Sequence, residues 1–127
     1  METFFNIRYE FDKAKIWRAI DNKIITKTPA YICVCDGNIL TLANKKPEYL
    51  KVVNNAIFSI CDSSYIPIYL KQIHKIHRKQ YSGSEIFDDA INSRKYKMCF
   101  LGAKLQVLES LRSKLTKTNP KIAEMYF

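Results

Sequence analysis

Residues 31–62, YICVCDGNILTLANKKPEYLKVVNNAIFSICD, decide the fold. The segment opens and closes on a continuous apolar run, Tyr31–Cys35 and Ile57–Cys61, and an aspartate follows each. Runs without polar alternation are what strands covered on both faces require, because neither side of the pleat meets water. Between them, Asn38 to Asn44 reads as one helical stretch. Pro47 fits the first turn of another, with Leu50, Val53 and Ala56 along one side. Two buried strands joined through helix make a βαβ unit, and that unit implies parallel pairing.

The alternation continues in both directions. Upstream, Phe4–Tyr9 (FFNIRY) reads as a strand rich in aromatic and β-branched residues. Asp12 then offers an N-cap, and Ala14, Trp17, Ile20 and Ile24 recur at helical spacing to about Ile25. Thr28-Pro29 breaks that pattern. Downstream, Asp62-Ser63-Ser64 opens a helix reaching about Lys75, with side chains placed to cap it. Gln80–Gly83 is a loop and Ser84–Ile91 a short helix. Tyr96–Leu101 reads as a third buried strand, turned by Gly102 into a helix carrying Leu105, Leu108, Leu111 and Leu115. Asn119-Pro120 stops that helix, and Ile122–Phe127 reads as the start of a further strand. The expected fold is a Rossmann-like three-layer α/β sandwich with a largely parallel sheet, in one domain over residues 1–127. Tyr31–Cys35, Ile57–Cys61 and Tyr96–Leu101 are its expected central strands.

Composition narrows the class. With 127 residues, 47% of them hydrophobic, and only 3 Gly and 4 Pro, the chain can bury a core and is not low-complexity. No apolar run approaches the roughly 20 residues of a membrane-spanning helix, and the N-terminus lacks the apolar stretch of a secretory signal. Cys33, Cys61 and Cys99 each sit in an apolar run, where cysteine behaves as a small buried hydrophobe, so a reducing compartment is expected. The Cys33/Cys35 pair has no second Cys/His pair at zinc-site spacing, and His74 and His77 lie in a basic stretch. Asp88 and Asp89 are adjacent in a helical stretch and point in different directions. No metal site is expected.

Lys and Arg number 21 against 12 Asp and Glu, a formal charge of +9, so the surface seeks anions. One concentration lies at Lys71–Lys79. RNP-like aromatics, a KH loop and a helix-turn-helix are all missing from the sequence, which disfavours nucleic acid. The competing reading is a truncated or non-catalytic basic α/β module, acting as an accessory subunit or binding an anionic partner such as RNA.

Ligands of parallel sheets bind outside the carboxyl ends of the strands, which directs attention to Asp36-Gly37, Asp62-Ser63-Ser64 and Gly102-Ala103. A carboxylate at that edge can act as a general base or hydrogen-bond a sugar hydroxyl, and it can equally cap the helix that follows. The Gly102 turn exposes backbone N–H groups at a helix start, which can hold a phosphate. It is neither G-x-G-x-x-G nor a P-loop.

The order of these pieces resembles the WecG/TagA/CpsF glycosyltransferase family. The resemblance is carried by residues 32–64 (ICVCDGNILTLANKKPEYLKVVNNAIFSICDSS), then RKQYSGSEIF, then YKMCFLGAK and a helix ending at Asn119-Pro120. Members look like T-x-N before a helix and a K-D-P-E-like turn, a strand ending P-D-G, then R-V-x-G-x-D-L-F and F-L-L-G-G. Pairing without gaps sets Val34 at the family threonine, Asp36 at the asparagine and Asp62 at the aspartate of P-D-G, flanked here by Cys61 and Ser63. Gly83, Glu85, Ile86 and Phe87 match G-x-D-L-F, and Gln80 stands at the family arginine with Arg78 and Lys79 close by. Gly102 matches the first glycine of the G-G turn, and Ala103 replaces the second. The resemblance covers the chain and the first half to two thirds of a usual family domain, ending as a further strand begins.

The resemblance implies an inverting, metal-independent transferase without a cofactor. It would move a sugar such as N-acetylmannosamine from a UDP-sugar donor to a lipid diphosphate-linked acceptor. Asp62 would be the catalytic base, with Asp36, Gly37, Ser63, Arg78, Gln80, Gly83, Gly102, Ala103 and Lys104 on the substrates. The implied setting is cytoplasmic and peripheral, on the anionic inner face of the plasma membrane. An open edge at Ile122–Phe127 would favour a homo-oligomer.

Overall fold

The computed structural model describes residues 1–125 and divides into two compact units, Met1–Gly83 and the segment from Ser84 onward. The first unit holds a four-stranded, mostly parallel sheet: β1 (Glu2–Phe4), β2 (Ile7–Tyr9), β3 (Cys33–Cys35) and β4 (Ser59–Cys61), in the order β1-β2-β4-β3. β1 and β2 are antiparallel, whereas β2/β4 and β3/β4 are parallel. Four helices surround the strands in sequence: α1 (Lys13–Ile25), α2 (Gly37–Lys45), α3 (Pro47–Asn55) and α4 (Tyr65–His74). This is a Rossmann-like α/β arrangement, as the apolar runs require.

Phe4–Tyr9 differs from the expected single strand: it folds as a hairpin. Phe5 and Asn6 take left-handed φ values of 51° and 63°, the two-residue turn whose twist suits a hairpin. Without glycine that turn is costly, and outside contacts hold it. Asn44 Nδ2 donates to the Phe5 carbonyl at 2.9 Å and Asn54 Nδ2 to the Asn6 carbonyl at 2.8 Å.

One hydrophobic cluster lies against one side of the sheet. Ile7, Tyr9, Cys35 and Cys61 cluster with Ala43 of α2, Val53 of α3, and Ile66 and Leu70 of α4. Val34 and Ile60, one residue out of step, point to the other side. Asp12 caps α1 as expected, accepting from the Ala14 N–H at 2.8 Å and the Lys15 N–H at 3.3 Å. Pro47 begins α3.

The second unit holds the two expected helices but not the expected strands. It comprises α5, which begins at the boundary (Gly83–Ser93), α6 (Leu105–Thr118) and a 3₁₀ helix, Pro120–Glu124. Tyr96–Leu101 does not join the four-stranded sheet; Cys99 alone forms a bridge, and Leu101 is 99% exposed. The expected strand from Ile122 is instead the 3₁₀ helix, with Ile122 buried; its last two residues lie outside the described ones. Pro120 occupies the first turn, where its missing N–H costs nothing. The Asn119 side chain is fully buried and fixes the spot, accepting from the Lys121 N–H and donating to the Ile91 carbonyl.

Candidate functional site

Because β2, β4 and β3 run parallel, the residues that follow them leave from one edge of the sheet. In space these are Glu10–Asp12, then Asp62–Ser63, then Asp36–Gly37, so Asp62 occupies the middle. Cys35 and Cys61 are register partners, and the Asp62 N–H donates to the Cys35 carbonyl at 3.0 Å. The backbones of Asp36 and Asp62 are thus held about one strand spacing apart, ~4.8 Å.

The two aspartates do different jobs locally. Asp36 is the N-cap of α2, its Oδ1 accepting from the Ile39 N–H at 2.8 Å, a contact of a kind worth about 1 kcal/mol. Gly37 begins that helix beside open space, since a Cβ there would meet nothing within 4 Å. Asp62 caps nothing on its own helix. The N-cap of α4 is Ser64, which makes no side-chain cap, unlike the expected arrangement. Asp62 instead reaches across to residue 83, and its Oδ1 accepts from the Gly83 N–H at 3.1 Å. Among the described residues, its Oδ2 has no hydrogen-bond partner.

Residues 78–83 form a strap across this edge. At one end the Arg78 guanidinium makes a two-bond ion pair with the Glu2 carboxylate of β1. In the middle, the Tyr81 N–H donates to the Cys61 carbonyl at 3.0 Å, and the indole N–H of Trp17 donates to the Tyr81 hydroxyl at 3.1 Å. Lys13 Nζ stands 4.2 Å from the centre of the Tyr81 ring. At the far end Gly83 fits closely: a Cβ there would lie 3.0 Å from Val34 Cγ1 and 3.6 Å from Asp62 Oδ2. Tyr81 and Glu2 were not singled out from the sequence. A buried aromatic isolated in the polar run His77–Gly83 was the available signal for Tyr81, and Glu2 gave none.

Beside the end of β2 lies a cavity of about 510 Å³, lined by Glu2, Glu10, Lys15, His77, Arg78 and Lys79 among others. The hydrogen bond from Arg78 holds the Glu2 carboxyl below its ordinary value of 4.5, and the same contact raises Arg78. The guanidinium expected on a nucleotide is therefore occupied by Glu2 in this state. Gln80 is half-buried within the strap. Ser63 is nearly buried, and the Cys61 thiol donates to its carbonyl at 3.4 Å.

The thiols of Cys35 and Cys61 belong to the core. The Tyr9 hydroxyl donates to Cys35 Sγ at 3.3 Å, and burial pushes Cys35 up to about 11 and Cys61 upward as well. Burial also raises the Tyr9 phenol and the half-buried Cys33. Cys99, expected inside, is exposed. Among the described residues, no three His, Cys, Asp or Glu side chains gather as a metal ion requires.

In the second unit, Gly102 and Ala103 both have positive φ, 115° and 63°. Lys104 is the exposed N-cap of α6 and makes no side-chain cap.

A mostly parallel sheet with acids at its carboxyl edge defines a Rossmann-like α/β protein with its candidate chemistry at that edge. The model of the Glycosyl transferase WecG/TagA/CpsF family matches residues 3–126. The chain belongs to that family, whose transferase activity implies a sugar donor and an acceptor. A search of curated proteins found no match.

Proposed function

We propose that the protein transfers a sugar from a UDP-sugar to a lipid diphosphate-linked acceptor, with Asp62 as the general base. One observation carries this reading. Asp62 sits mid-edge with one carboxylate oxygen held by the Gly83 N–H and the other without a hydrogen-bond partner among the described residues. A base needs that combination: one atom fixing its orientation and another left for the proton. The acceptor hydroxyl attacks the anomeric carbon on the face opposite the nucleotide, forming the new glycosidic bond. The bond from that carbon to the UDP oxygen breaks, and the hydroxyl proton passes to Asp62. Asp36 and Gly37 lie beside the sugar or ribose, with Ser63, Gln80 and Gly83 lining the same edge. Departing UDP carries negative charge, which a basic side chain such as Arg78, once released from Glu2, would stabilise.

Calorimetric titration of UDP and UDP-sugars into the purified protein tests the reading. Saturable heat with UDP that survives Asp62→Asn is expected, because the base is not the nucleotide anchor. Silence toward UDP and every UDP-sugar overturns it.

A further inference from the structure

Glu2 and Arg78 meet across 76 positions of the chain. The guanidinium turns its Nε–Nη2 edge to the two carboxylate oxygens, while Nη1 donates to the His77 carbonyl at 2.7 Å. A phosphate would bind that same edge by two parallel hydrogen bonds, so Glu2 occupies the recognition surface of Arg78. The pair is nevertheless 33% and 37% exposed, and a pair screened by water to that extent is weak enough to be exchanged.

The surroundings suit an anion of more than one charge. The cavity of about 510 Å³ beside the end of β2 is lined by Lys15, His77 and Lys79 as well as by this pair. Lys15 and Lys79 are exposed, and among the described residues their side chains make no hydrogen bond or ion pair. Two further carboxylates line the cavity, and both are engaged by backbone. Glu10 is held by the N–H groups of Phe11 and Asp12 and by the Met1 amine, and Asp12 caps α1. Of the three acids, Glu2 alone holds a basic side chain among the described residues.

The strap allows the exchange to stay local. Tyr81 is buried and its N–H is fixed to the Cys61 carbonyl. Arg78 can therefore leave Glu2 while the Gly83–Asp62 contact beyond Tyr81 stays in place.

We propose that Glu2 is an internal competitor for Arg78, forming a latch that a diphosphate opens. The diphosphate replaces the Glu2 carboxylate on the guanidinium and gathers Lys15 and Lys79 in the cavity, where its larger charge outweighs that of one carboxylate. The empty protein thus masks its own anion site. Equating this group with the diphosphate of a UDP-sugar rests on the transferase reading above, whereas the exchange itself does not.

The test is calorimetric titration of inorganic pyrophosphate, and separately of UDP, into the parent and its variants. Glu2→Gln keeps the size of the side chain and removes its charge, so it should tighten pyrophosphate binding by roughly three- to tenfold. Arg78→Gln should weaken binding, and most of the gain from Glu2→Gln should vanish in the double variant. Circular dichroism checks that each variant folds. In the parent, the Arg78 Nε–H resonance should move as pyrophosphate is added, and one indifferent to saturating pyrophosphate overturns the latch without any substitution. Equal affinity in parent and Glu2→Gln also overturns it, and the donor reading then stands if UDP binds. A pyrophosphate gain in Glu2→Gln with no heat from UDP in any variant upholds the latch and removes the donor reading. Silence toward both ligands in parent and Glu2→Gln overturns both.

Discussion

The N–H of Gly83 donates to Oδ1 of Asp62 at 3.1 Å, tying a loop residue to a carboxylate 21 positions earlier in the chain. One oxygen of the proposed base is thereby a structural joint. Asn keeps a carbonyl oxygen for that joint and removes the basicity, so Asp62→Asn separates the two roles. In an active preparation, sugar transfer should fall by roughly 10²-fold or more with UDP affinity little changed. Asp62→Ala should lower the melting temperature as well. Full turnover in Asp62→Asn would leave the residue only its joint.

Two glycines should respond with opposite signs. Gly83→Ala sets a methyl group 3.0 Å from Val34 Cγ1 and crowds Asp62, so a loss of about 1–3 kcal/mol is expected in urea unfolding. Gly37→Ala adds a methyl in open space at a helical position and should stabilise by about 0.5–1 kcal/mol. Equal effects at both positions would contradict the packing around Gly83.

Ala103 pays for its left-handed backbone, φ 63°, because its Cβ crowds the carbonyl oxygen that follows. The second glycine of the family's G-G turn would stand there without strain. Ala103→Gly should raise stability by up to about 1 kcal/mol after the added freedom of the unfolded chain is counted. A lower melting temperature would refute the conformation assigned to this turn.

Acid should release the Arg78 end of the strap. Pairing with Arg78 lowers the Glu2 carboxyl from 4.5, so the contribution is complete above that value and is lost as pH falls through the lower folded value. A Glu2 carboxyl titrated by NMR should show its midpoint below 4.5, and Arg78→Gln should bring it back up. A midpoint unmoved by Arg78→Gln would show that the pair does not hold in solution.

Thiol labelling should separate the exposed cysteine from the two buried ones. Exposed Cys99 should react with a maleimide or aromatic disulfide within the native protein. Buried Cys35, pushed up to about 11, and buried Cys61 should react only on unfolding. Mass spectrometry of the labelled peptides reads the order, and early labelling of Cys35 would contradict the core described here.

The sheet and its edge were legible where local sequence is decisive. The runs ending at Cys35 and Cys61 became neighbouring parallel strands, each shortened to three residues, and Asp12 capped its helix. Phe4–Tyr9 was misread because Phe5-Asn6 carries no glycine, and the partners that hold the turn, Asn44 and Asn54, lie far along the chain. Tyr96–Leu101 has strand composition, but a strand is made by its partner, and composition does not supply one. Asn119-Pro120 was read as a stop when it is also a start. At the site, the aspartates were legible as edge residues, but the 62–83 contact that distinguishes Asp62 from the capping Asp36 is non-local and leaves no local mark.

Val34 turns a methyl group toward Gly83 at the place where the family pattern carries threonine. Valine and threonine share a shape, so a single methyl-for-hydroxyl exchange separates an oily wall from a wetted one a few ångströms from Asp62. No backbone has to move for that exchange. It makes residue 34 a tuning position, where the polarity beside Asp62 can be reset while the packing against Gly83 stays the same.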